Sequence, residues 1–309
     1  MRRESALKTS ITDPEVLSFI KETEQLYADS PSRDIALERA DYERMAQHFS
    51  APLPVGLAIE DLMFHGGIGP LPARRYWPKD PGPARVLYLH GGGYSLGSLE
   101  SHASICADIA AKSGCEVVAA TYRLAPEYPH PAAFQDAVSA VDAFGDQPLV
   151  IVGDSAGGNL AAAVALEGDR RIVAQVLIYP DLGGLTRDLA SYGDNAEARL
   201  LRTSDVIAYR RQRAGGQVPI ADARFDPLSA ADVAKAPPCF ISVADHDPLR
   251  DDGAAFVLRL TDAGVPAEVV IEQELPHGHL RARHRARRAN DAFLRICDAI
   301  RSFAAIASS

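Results

Sequence analysis

The hydrophobic residues of the first fifty positions recur with the period of an α-helix. Apolar side chains occur three or more positions apart with polar residues between them, for example at Leu17, Ile20 and Leu26. This spacing predicts helices, and no strand, within residues 1–50. From Leu57 onward the pattern changes to short extended runs, "LAIEDLMF" and "ARRYWP", separated by the turn-rich "HGGIGPLP". Those two runs predict an antiparallel pair at the edge of a sheet.

Further along the chain, apolar runs alternate with helical stretches. The runs are "RVLYL", "EVVAAT", "PLVIV", "AQVLIY", "CFISVA" and "EVVIEQ". The intervening helices are predicted to start near Ser101, Ala132, Gly158, Gly253 and Arg283. Strands that are apolar on both faces, with helices between them, indicate an α/β fold with a mostly parallel sheet covered on both sides. Together with the antiparallel pair this predicts eight strands, with ligands bound beyond their carboxyl ends.

One connection is too long for a plain loop. About sixty residues separate Tyr179 from Cys239, and they include the helical stretch "TSDVIAYRRQRA". A segment of that length in a compact domain predicts a small helical subdomain inserted over the strand ends. We therefore expect an N-terminal helical part of a cap, a core in two pieces and a cap insertion. Their respective ranges are residues 1–50, residues 51–180 and 226–309, and residues 181–225.

The motif "GDSAG" at residues 153–157 follows the run "PLVIV" and precedes an alanine-rich helical stretch. It matches the G-x-S-x-G pattern, in which a sharp strand-to-helix turn exposes the serine hydroxyl above the sheet. The small Ala156 stands where that turn is tightest. A helix N-cap is the alternative role for such a serine. The context favours Ser155 as a nucleophile.

A serine nucleophile needs a base, and in this fold the base follows the serine in the chain. The downstream histidines are His246, His277, His279 and His284. His277 lies in "ELPHGHL", in the loop after the last apolar run, where a side chain can reach over the strand ends. We favour His277 as the base, with His279 in the same loop as its rival. His246 is interpreted as an ordinary loop histidine beside acidic residues.

The acid that orients the base is expected in the loop after "CFISVA", which continues "DHDPLRDDG". Asp251 and Asp252 resemble residues of the first turn of the next helix, where carboxylates meet the helix dipole favourably. Asp247 precedes a proline that stiffens the loop, and is better placed to fix an imidazole tautomer. The residues by themselves leave Asp245 as a serious rival.

Three consecutive glycines stand in "HGGGY", at His90 to Tyr94, directly after the run "VLYL". Glycines give up much conformational entropy on folding, so a triplet indicates that the backbone itself has a task. Backbone N–H groups that are free of side chains can stabilise a developing oxyanion. A phosphate-binding loop is disfavoured, because neither a following lysine nor a G-x-G-x-x-G pattern is present. His90 is interpreted as a residue that holds the loop.

Five motifs in order resemble those of the hormone-sensitive-lipase-like esterases of the α/β-hydrolase superfamily. They are "HGGGY", "YRLAPEYPHPAA", "GDSAGGNLA", "DHDPLRDDG" and "HGHLRARH", and the resemblance covers nearly the whole chain from about residue 55. Two positions depart from the family pattern. His279 stands where an aromatic residue is usual after "HG", and His130 replaces the phenylalanine of "PFPAA".

The resemblance implies an α/β-hydrolase fold with a lid built from the N-terminal helices and the insertion. It implies Ser155 as nucleophile, Asp247 as acid and His277 as base. It also assigns oxyanion-hole N–H groups to Gly92 and Gly93, with the N–H of Ala156 as the third donor. Tyr94 is expected to shape the substrate pocket, and an edge-packing aromatic is the alternative role for it.

Charge narrows the choice of partners. The chain has 309 residues and a formal charge of −9, which disfavours nucleic acid and anionic membranes. The basic run "RARHRARR" at residues 281–288 is interpreted as a solvated helix face paired with acidic residues, not as a nucleic-acid patch. The N-terminus lacks the apolar stretch of a signal peptide, and no run has the length of a membrane span. We therefore expect a cytoplasmic protein.

The expected reaction is a two-step acyl transfer on small, neutral esters with short acyl chains, without a metal or cofactor. Four cysteines, far apart and without metal-binding spacing, are expected to be buried thiols in a reducing compartment. Amide or formamide hydrolysis on the same three residues stays open as an alternative. A non-catalytic small-molecule receptor is disfavoured, because all three positions are filled. The sequence does not decide the oligomeric state, and a homodimer is compatible with it.

Overall fold

The computed structural model describes residues 10–27, 34–143 and 147–306 and contains one eight-stranded sheet. The strands are β1 (Ala58–His65), β2 (Pro70–Trp77), β3 (Arg85–Leu89), β4 (Glu116–Ala120), β5 (Leu149–Asp154), β6 (Ile172–Ile178), β7 (Cys239–His246) and β8 (Ala267–Pro276). Their spatial order is β1-β2-β4-β3-β5-β6-β7-β8. β2 is antiparallel to both β1 and β4, and the remaining neighbours are parallel. The predicted mostly parallel α/β sheet is confirmed.

Helices alternate with these strands. They are α1 (Pro14–Leu26), α2 (Ile35–His48), α3 (Leu99–Ser113), α4 (Ala132–Ala143), α5 (Ala156–Ala165), α6 (Ser191–Asp194), α7 (Thr203–Ala214), α8 (Arg250–Asp262) and α9 (Arg287–Ile306). Local signals set their ends. The hydroxyl of Ser98 accepts the N–H groups of Glu100 and Ser101 at the start of α3, and Gly114 ends that helix with a φ of 75°.

The core lies on both faces of the sheet, because successive side chains of a strand point to opposite sides. In β3, Val86 and Tyr88 pack with α3 and α9, whereas Leu87 and Leu89 pack with α4, α5 and α8. All four side chains are fully buried. This double burial explains why the central strands read as continuous apolar runs in the sequence.

The N-terminal helices lie against the start of α9. Val16, Phe19 and Ile20 of α1 are buried in a cluster that includes residues of α2 and α9. Leu17, which the sequence pattern placed on the apolar face, is 37% exposed, because the buried stripe of α1 runs through its neighbours instead. Residues 1–9 and 28–33 of the predicted N-terminal cap lie outside the described residues.

The long connection between β6 and β7 contains α6, α7 and two short 3-10 turns, Gly184–Thr186 and Pro227–Ser229. The predicted helix "TSDVIAYRRQRA" is α7, with the same ends. The side-chain amide of Asn159 in α5 donates to the carbonyl oxygens of Asp181 at 2.7 Å and Phe225 at 3.0 Å. One buried residue of the core therefore holds both ends of the insertion.

The basic run at residues 281–288 does not form the solvated helix face that the sequence predicted. Arg281 and Arg283 are buried, with 8% and 3% of their surfaces exposed. The reason is a 3-10 turn over His279–Ala282, which precedes α9 and directs these two side chains inward. Arg283 pairs with the buried Asp108 at 2.7 Å.

All four cysteines are buried and unpaired. Within the described part of the chain, no helix combines the length and the apolar character needed to cross a membrane. In the same residues, no group of His, Cys, Asp and Glu side chains is arranged to hold a metal ion.

Candidate active site

Ser155 occupies the tight turn between β5 and α5. Its φ and ψ are 53° and −116°, a conformation that residues other than glycine rarely adopt. The backbone N–H of Ser155 donates to the carbonyl oxygen of Ile178 at 2.8 Å, so β6 helps to hold the turn. Strain of this kind persists only where the surrounding structure determines it.

The two glycines of "GDSAG" are required by close packing of backbone atoms. A Cβ on Gly153 would collide with the carbonyl of Gly157, one turn into the helix. A Cβ on Gly157 would collide with the carbonyl of Leu89 at the end of β3. The motif therefore brings the turn at Ser155 against the strand that leads into "HGGG".

A chain of hydrogen bonds joins Ser155, His277 and Asp247 across the carboxyl ends of β5, β8 and β7. His277 Nε2 lies 2.9 Å from the hydroxyl oxygen of Ser155. His277 Nδ1 lies 2.6 Å from a carboxylate oxygen of Asp247. An Nδ1–H that donates to Asp247 leaves Nε2 free to accept the proton of the Ser155 hydroxyl.

Asp247 is fully buried, and its loop is held from two sides. Its other carboxylate oxygen accepts the backbone N–H of Leu249 at 2.9 Å. The side-chain amide of Asn195, next to α6, donates to the carbonyl oxygens of Asp247 and Asp245 at 2.9 and 3.1 Å. Asn195 could not be predicted from the sequence, because no local pattern relates the insertion to this loop.

The structure separates His279 from the hydrogen-bonded chain. His279 is fully buried, and its Nδ1 lies 3.2 Å from the carbonyl oxygen of Pro276. Its ring packs edge-on against Tyr179. Burial lowers the pKa of His279 to about 3, which keeps this ring neutral.

The rival carboxylates have other partners. Asp245 lies 3.9 Å from Arg250 and from His246. Asp251 accepts the N–H of Ser191, and Asp252 accepts the N–H groups at residues 182 and 184. Asp251 and Asp252 lie in the first turn of α8 as the sequence predicted, and they also hold the start of the insertion.

The glycine loop after β3 needs its glycines for two separate reasons. Gly92 and Gly93 have φ values of 124° and 58°, in the region that favours glycine. A Cβ on Gly92 would collide with the carbonyl of Leu96, and one on Gly93 with the ring of Tyr209. The N–H groups of Gly92, Gly93 and Ala156 donate to no acceptor among the described residues.

Asp154, just before Ser155, links the glycine loop to the turn at Ser155 by hydrogen bonds. Its carboxylate accepts the N–H of Gly91 at 2.9 Å and the hydroxyl of Tyr88 at 2.7 Å. Burial alone would raise the pKa of Asp154, but His102 and the Tyr88 hydroxyl outweigh it and hold that pKa below its usual range. A buried carboxylate that stays ionised fixes the first amide of the loop.

His90 lies beneath the loop, in a stack of rings. Its ring centroid is 4.5 Å from that of Tyr122 and 5.4 Å from that of His102. The hydroxyl of Tyr122 donates to the carbonyl oxygen of His90 at 2.7 Å. Burial lowers the pKa of His90 to about 4, so the ring is neutral at physiological pH. These contacts agree with a residue that holds the loop.

Ser155 borders two spaces. The first, here called the main cavity, has a volume of about 130 Å³ and lies between the loops that carry Ser155 and His277 and the N-terminal helices. Its walls include Phe19, Thr23, Tyr27, Tyr42, Met45, Gly92, Gly93, Leu96, Asp154, Tyr179, Leu200, Tyr209, His277 and Arg281. The second, here called the side recess, measures about 20 Å³. It is bordered by Gly93, Tyr94, Ala156, Asp181, Leu201, Val206, Tyr209 and Leu249.

Tyr94 borders the side recess and is 98% buried, with 2% of its surface exposed. Its hydroxyl donates to Asp181 at 3.3 Å, and the guanidinium of Arg213 lies 3.9 Å from its ring centroid. Tyr209 of α7 contributes to both spaces, a position that the sequence did not single out. Only the folded position of α7 brings that ring over the glycine loop.

The chain was compared with known proteins. Residues 86–281 match the family described as alpha/beta hydrolase fold. Esterase LipI of Mycobacterium tuberculosis is 39% identical over 74% of this chain and 77% of its own length. Ethyl acetate hydrolase of Pseudomonas putida is 34% identical over 74% of this chain and 78% of its own length.

Solved structures resemble the chain over most of its length. A hyperthermophilic esterase from the archaeon Pyrobaculum calidifontis has a TM-score of 0.88 at 29% identity, covering 95% of this chain and 99% of that one. The thermostable carboxylesterase EstE1 from a metagenomic library has a TM-score of 0.83 at 30% identity, covering 89% and 99%. Fold and site thus define an α/β hydrolase. The chain belongs to the hormone-sensitive-lipase-like esterase family of that superfamily.

Proposed function

We propose that this chain hydrolyses esters of short acyl groups, with Ser155 as nucleophile, His277 as base and Asp247 as the acid that orients it. The family and its relatives place the chain among the carboxylic ester hydrolases. The observation that carries the assignment of residues is the hydrogen-bonded chain from Ser155 through His277 to Asp247, at 2.9 and 2.6 Å.

In the first step the Ser155 oxygen attacks the ester carbonyl while His277 Nε2 takes the hydroxyl proton. The buried carboxylate of Asp247 stabilises the imidazolium that results. His277 then gives the proton to the leaving alcohol, and water hydrolyses the acyl-enzyme by the same route. The N–H groups of Gly92, Gly93 and Ala156 are proposed to stabilise the oxyanion, supported by their lack of other acceptors in the described part of the chain.

The two spaces beside Ser155 suggest where each part of the ester binds. The leaving oxygen must lie next to His277, which borders the main cavity, so the alcohol part is placed there. The acyl part is then left with the side recess beside Ala156 and Tyr94. A volume of about 20 Å³ suits a short acyl chain. The printed name of the Pseudomonas putida relative, an ethyl acetate hydrolase, agrees with this size.

We further propose that the N-terminal helices and the insertion form a cap over the site, with boundaries near residues 50, 181 and 225. The contacts of Phe19 and Tyr209 with the main cavity support this division. A cytoplasmic location is supported by four buried, unpaired cysteines.

The first test is hydrolysis of p-nitrophenyl esters with acyl chains of about two to twelve carbons. The shortest chains suit the small side recess, and the longest far exceed its size. We expect the highest kcat/KM for the short chains. Ser155→Ala should lower the rate by at least about a thousandfold. Ser139→Ala, on the outer face of α4, is the control and should leave the rate unchanged. Near-full activity of Ser155→Ala would exclude the mechanism.

The second test compares the two rival acids. Asp247→Asn should lower kcat by roughly 10³- to 10⁴-fold, because the orientation and tautomer of His277 are lost. Asp245→Asn should keep kcat within about threefold, because its carboxylate faces Arg250 and not the base. The reverse ranking would assign the acid to Asp245.

A further inference from the structure

Arg281 places a buried positive charge in the wall of the main cavity. It lies in the 3-10 turn that follows His277, and 8% of its surface is exposed. Its Nη1 donates to the carbonyl oxygen of Ser101 at 2.8 Å, and its Nη2 donates to the hydroxyl of Tyr42 at 2.9 Å. The guanidinium also lies 4.9 Å from the centroid of the Tyr42 ring.

These contacts leave part of the guanidinium unused. It carries five N–H groups, and two of them are engaged by Ser101 and Tyr42. No carboxylate in residues 10–27, 34–143 or 147–306 lies within 4.0 Å of Arg281, whereas Arg283, two residues later, pairs with Asp108 at 2.7 Å. A buried cation with spare donors beside a substrate cavity is a candidate for ligand binding.

Charge in the same cavity defines what Arg281 can bind. Asp154 also borders the main cavity, and despite its burial the neighbouring His102 and Tyr88 hydroxyl hold its pKa below the usual range, which favours the charged carboxylate. Asp154 is close enough to raise the pKa of the Arg281 guanidinium, so it offsets part of that positive charge while the spare hydrogen-bond donors remain. A neutral oxygen acceptor suits such a wall better than a carboxylate, which Asp154 would repel.

We propose that Arg281 determines specificity by donating a hydrogen bond to a neutral ether, carbonyl or hydroxyl oxygen in the alcohol part of the ester. This inference rests on the proposed function, which places the alcohol part in the main cavity. The preferred substrates are short-chain esters of oxygen-bearing alcohols. Esters of purely alkyl alcohols of the same size bind the same cavity without that bond.

The test uses two esters of nearly equal shape, 2-methoxyethyl acetate and butyl acetate, which differ by an ether oxygen in place of a methylene group. The kcat/KM ratio of the two is measured for the wild type and for Arg281→Met. Differences in intrinsic reactivity cancel when the ratios are compared. We expect the ratio to fall roughly tenfold in Arg281→Met, as for a lost hydrogen bond from a charged donor.

Two further variants separate specificity from folding. Arg281→Lys keeps the positive charge and supplies three N–H donors instead of five, and should retain part of the wild-type ratio even if Arg281→Met folds poorly. Arg285→Met makes the same change at an exposed position of the same basic run and should keep the wild-type ratio. A ratio that is the same in wild type, Arg281→Met and Arg281→Lys would overturn the inference.

A matched pair on the acyl side, ethyl 3-methoxypropanoate and ethyl pentanoate, tests the location of the oxygen. The kcat/KM ratio of this acyl-side pair should be the same in the wild type and in Arg281→Met. A change in this ratio, with no change in the ratio of the alcohol-side pair, would overturn the inference. So would a preference for 3-acetoxypropanoate, whose alcohol part carries a carboxylate, over 2-methoxyethyl acetate. If the wild type hydrolyses none of these esters, the proposed function itself fails. Hydrolysis with ratios insensitive to Arg281 contradicts only the specificity assignment.

Discussion

At the scale of single residues, the loop "HGHL" shows how neighbouring histidines acquire different tasks. His277 keeps 12% of its side chain exposed and joins Ser155 to Asp247, whereas His279 is fully buried against Tyr179. The sequence favoured His277 but kept His279 as a rival, since both share one loop. Burial is the property that separates them, and burial depends on residues distant in the chain.

His279 should make the protein sensitive to acid. Its pKa is lowered to about 3, whereas an unfolded histidine titrates near 6.5. The unfolded chain therefore binds the extra proton first, and stability is lost as pH falls from about 6.5 towards 3. His279→Phe removes this titration and the Nε2 atom that has no partner in the described structure. Its urea midpoint should exceed that of the wild type at pH 5, with kcat at pH 7.5 within about threefold.

If the difference in urea midpoint between His279→Phe and the wild type did not change from pH 7.5 to pH 5, the role of His279 in acid sensitivity would be contradicted. A loss of activity comparable to that of His277→Ala would contradict the separation of His279 from the hydrogen-bonded chain of Ser155, His277 and Asp247.

At Gly92 the backbone conformation and the close packing leave no room for a side chain. Gly92→Ala should lower kcat by at least about a hundredfold, because the new Cβ collides with the carbonyl of Leu96 and displaces the N–H that we propose as an oxyanion donor. Gly264→Ala is the control: Gly264 also has a positive φ, 80°, but a Cβ there meets no atom within 4 Å. It should cost about 1 kcal/mol of stability and leave kcat unchanged. If Gly92→Ala and Gly264→Ala lowered kcat equally, the loss would come from backbone strain and not from the collision with Leu96.

At the scale of elements, buried charges fasten the insertion to the core. Arg210 of α7 has 2% of its surface exposed and pairs with Asp181 at 3.4 Å and with Asp226 at 2.7 Å. These aspartates stand at the two ends of the insertion. The arrangement fixes the helix that carries Tyr209 over the glycine loop.

Arg210→Ala should loosen residues 181–225, because two buried carboxylates lose the cation that pairs with both of them. We expect the free energy of local unfolding of residues 181–225 to fall by about 3–5 kcal/mol, and proteolysis within these residues to become faster. Arg211→Ala changes the next residue of α7, which is exposed, and should leave proteolysis unchanged. Equal cleavage rates for both variants would show that the ion pairs of Arg210 with Asp181 and Asp226 do not hold residues 181–225 in place.

At the scale of the whole molecule, charge opposes polyanion binding. The formal charge is −9, and the basic run at residues 281–288 turns Arg281 and Arg283 into the interior. Too few cations of the run remain on the surface to outweigh the acidic excess. Fluorescence anisotropy with labelled double-stranded DNA should show no binding at about 0.15 M salt. Salt-sensitive binding at low micromolar concentration would contradict this expectation.

The sequence by itself determined the elements and the chemistry that local patterns encode. Apolar runs marked the central strands because both faces of a covered parallel sheet are buried, and "GDSAG" and "HGGG" marked turns that only small residues can form. Tertiary structure decided what depends on distance through space. It brought His277 to Ser155 and Asp247 to His277. It also brought Asn195 and Tyr209 to the site and buried Arg281, since burial and long-range contacts are set by elements far apart in the chain.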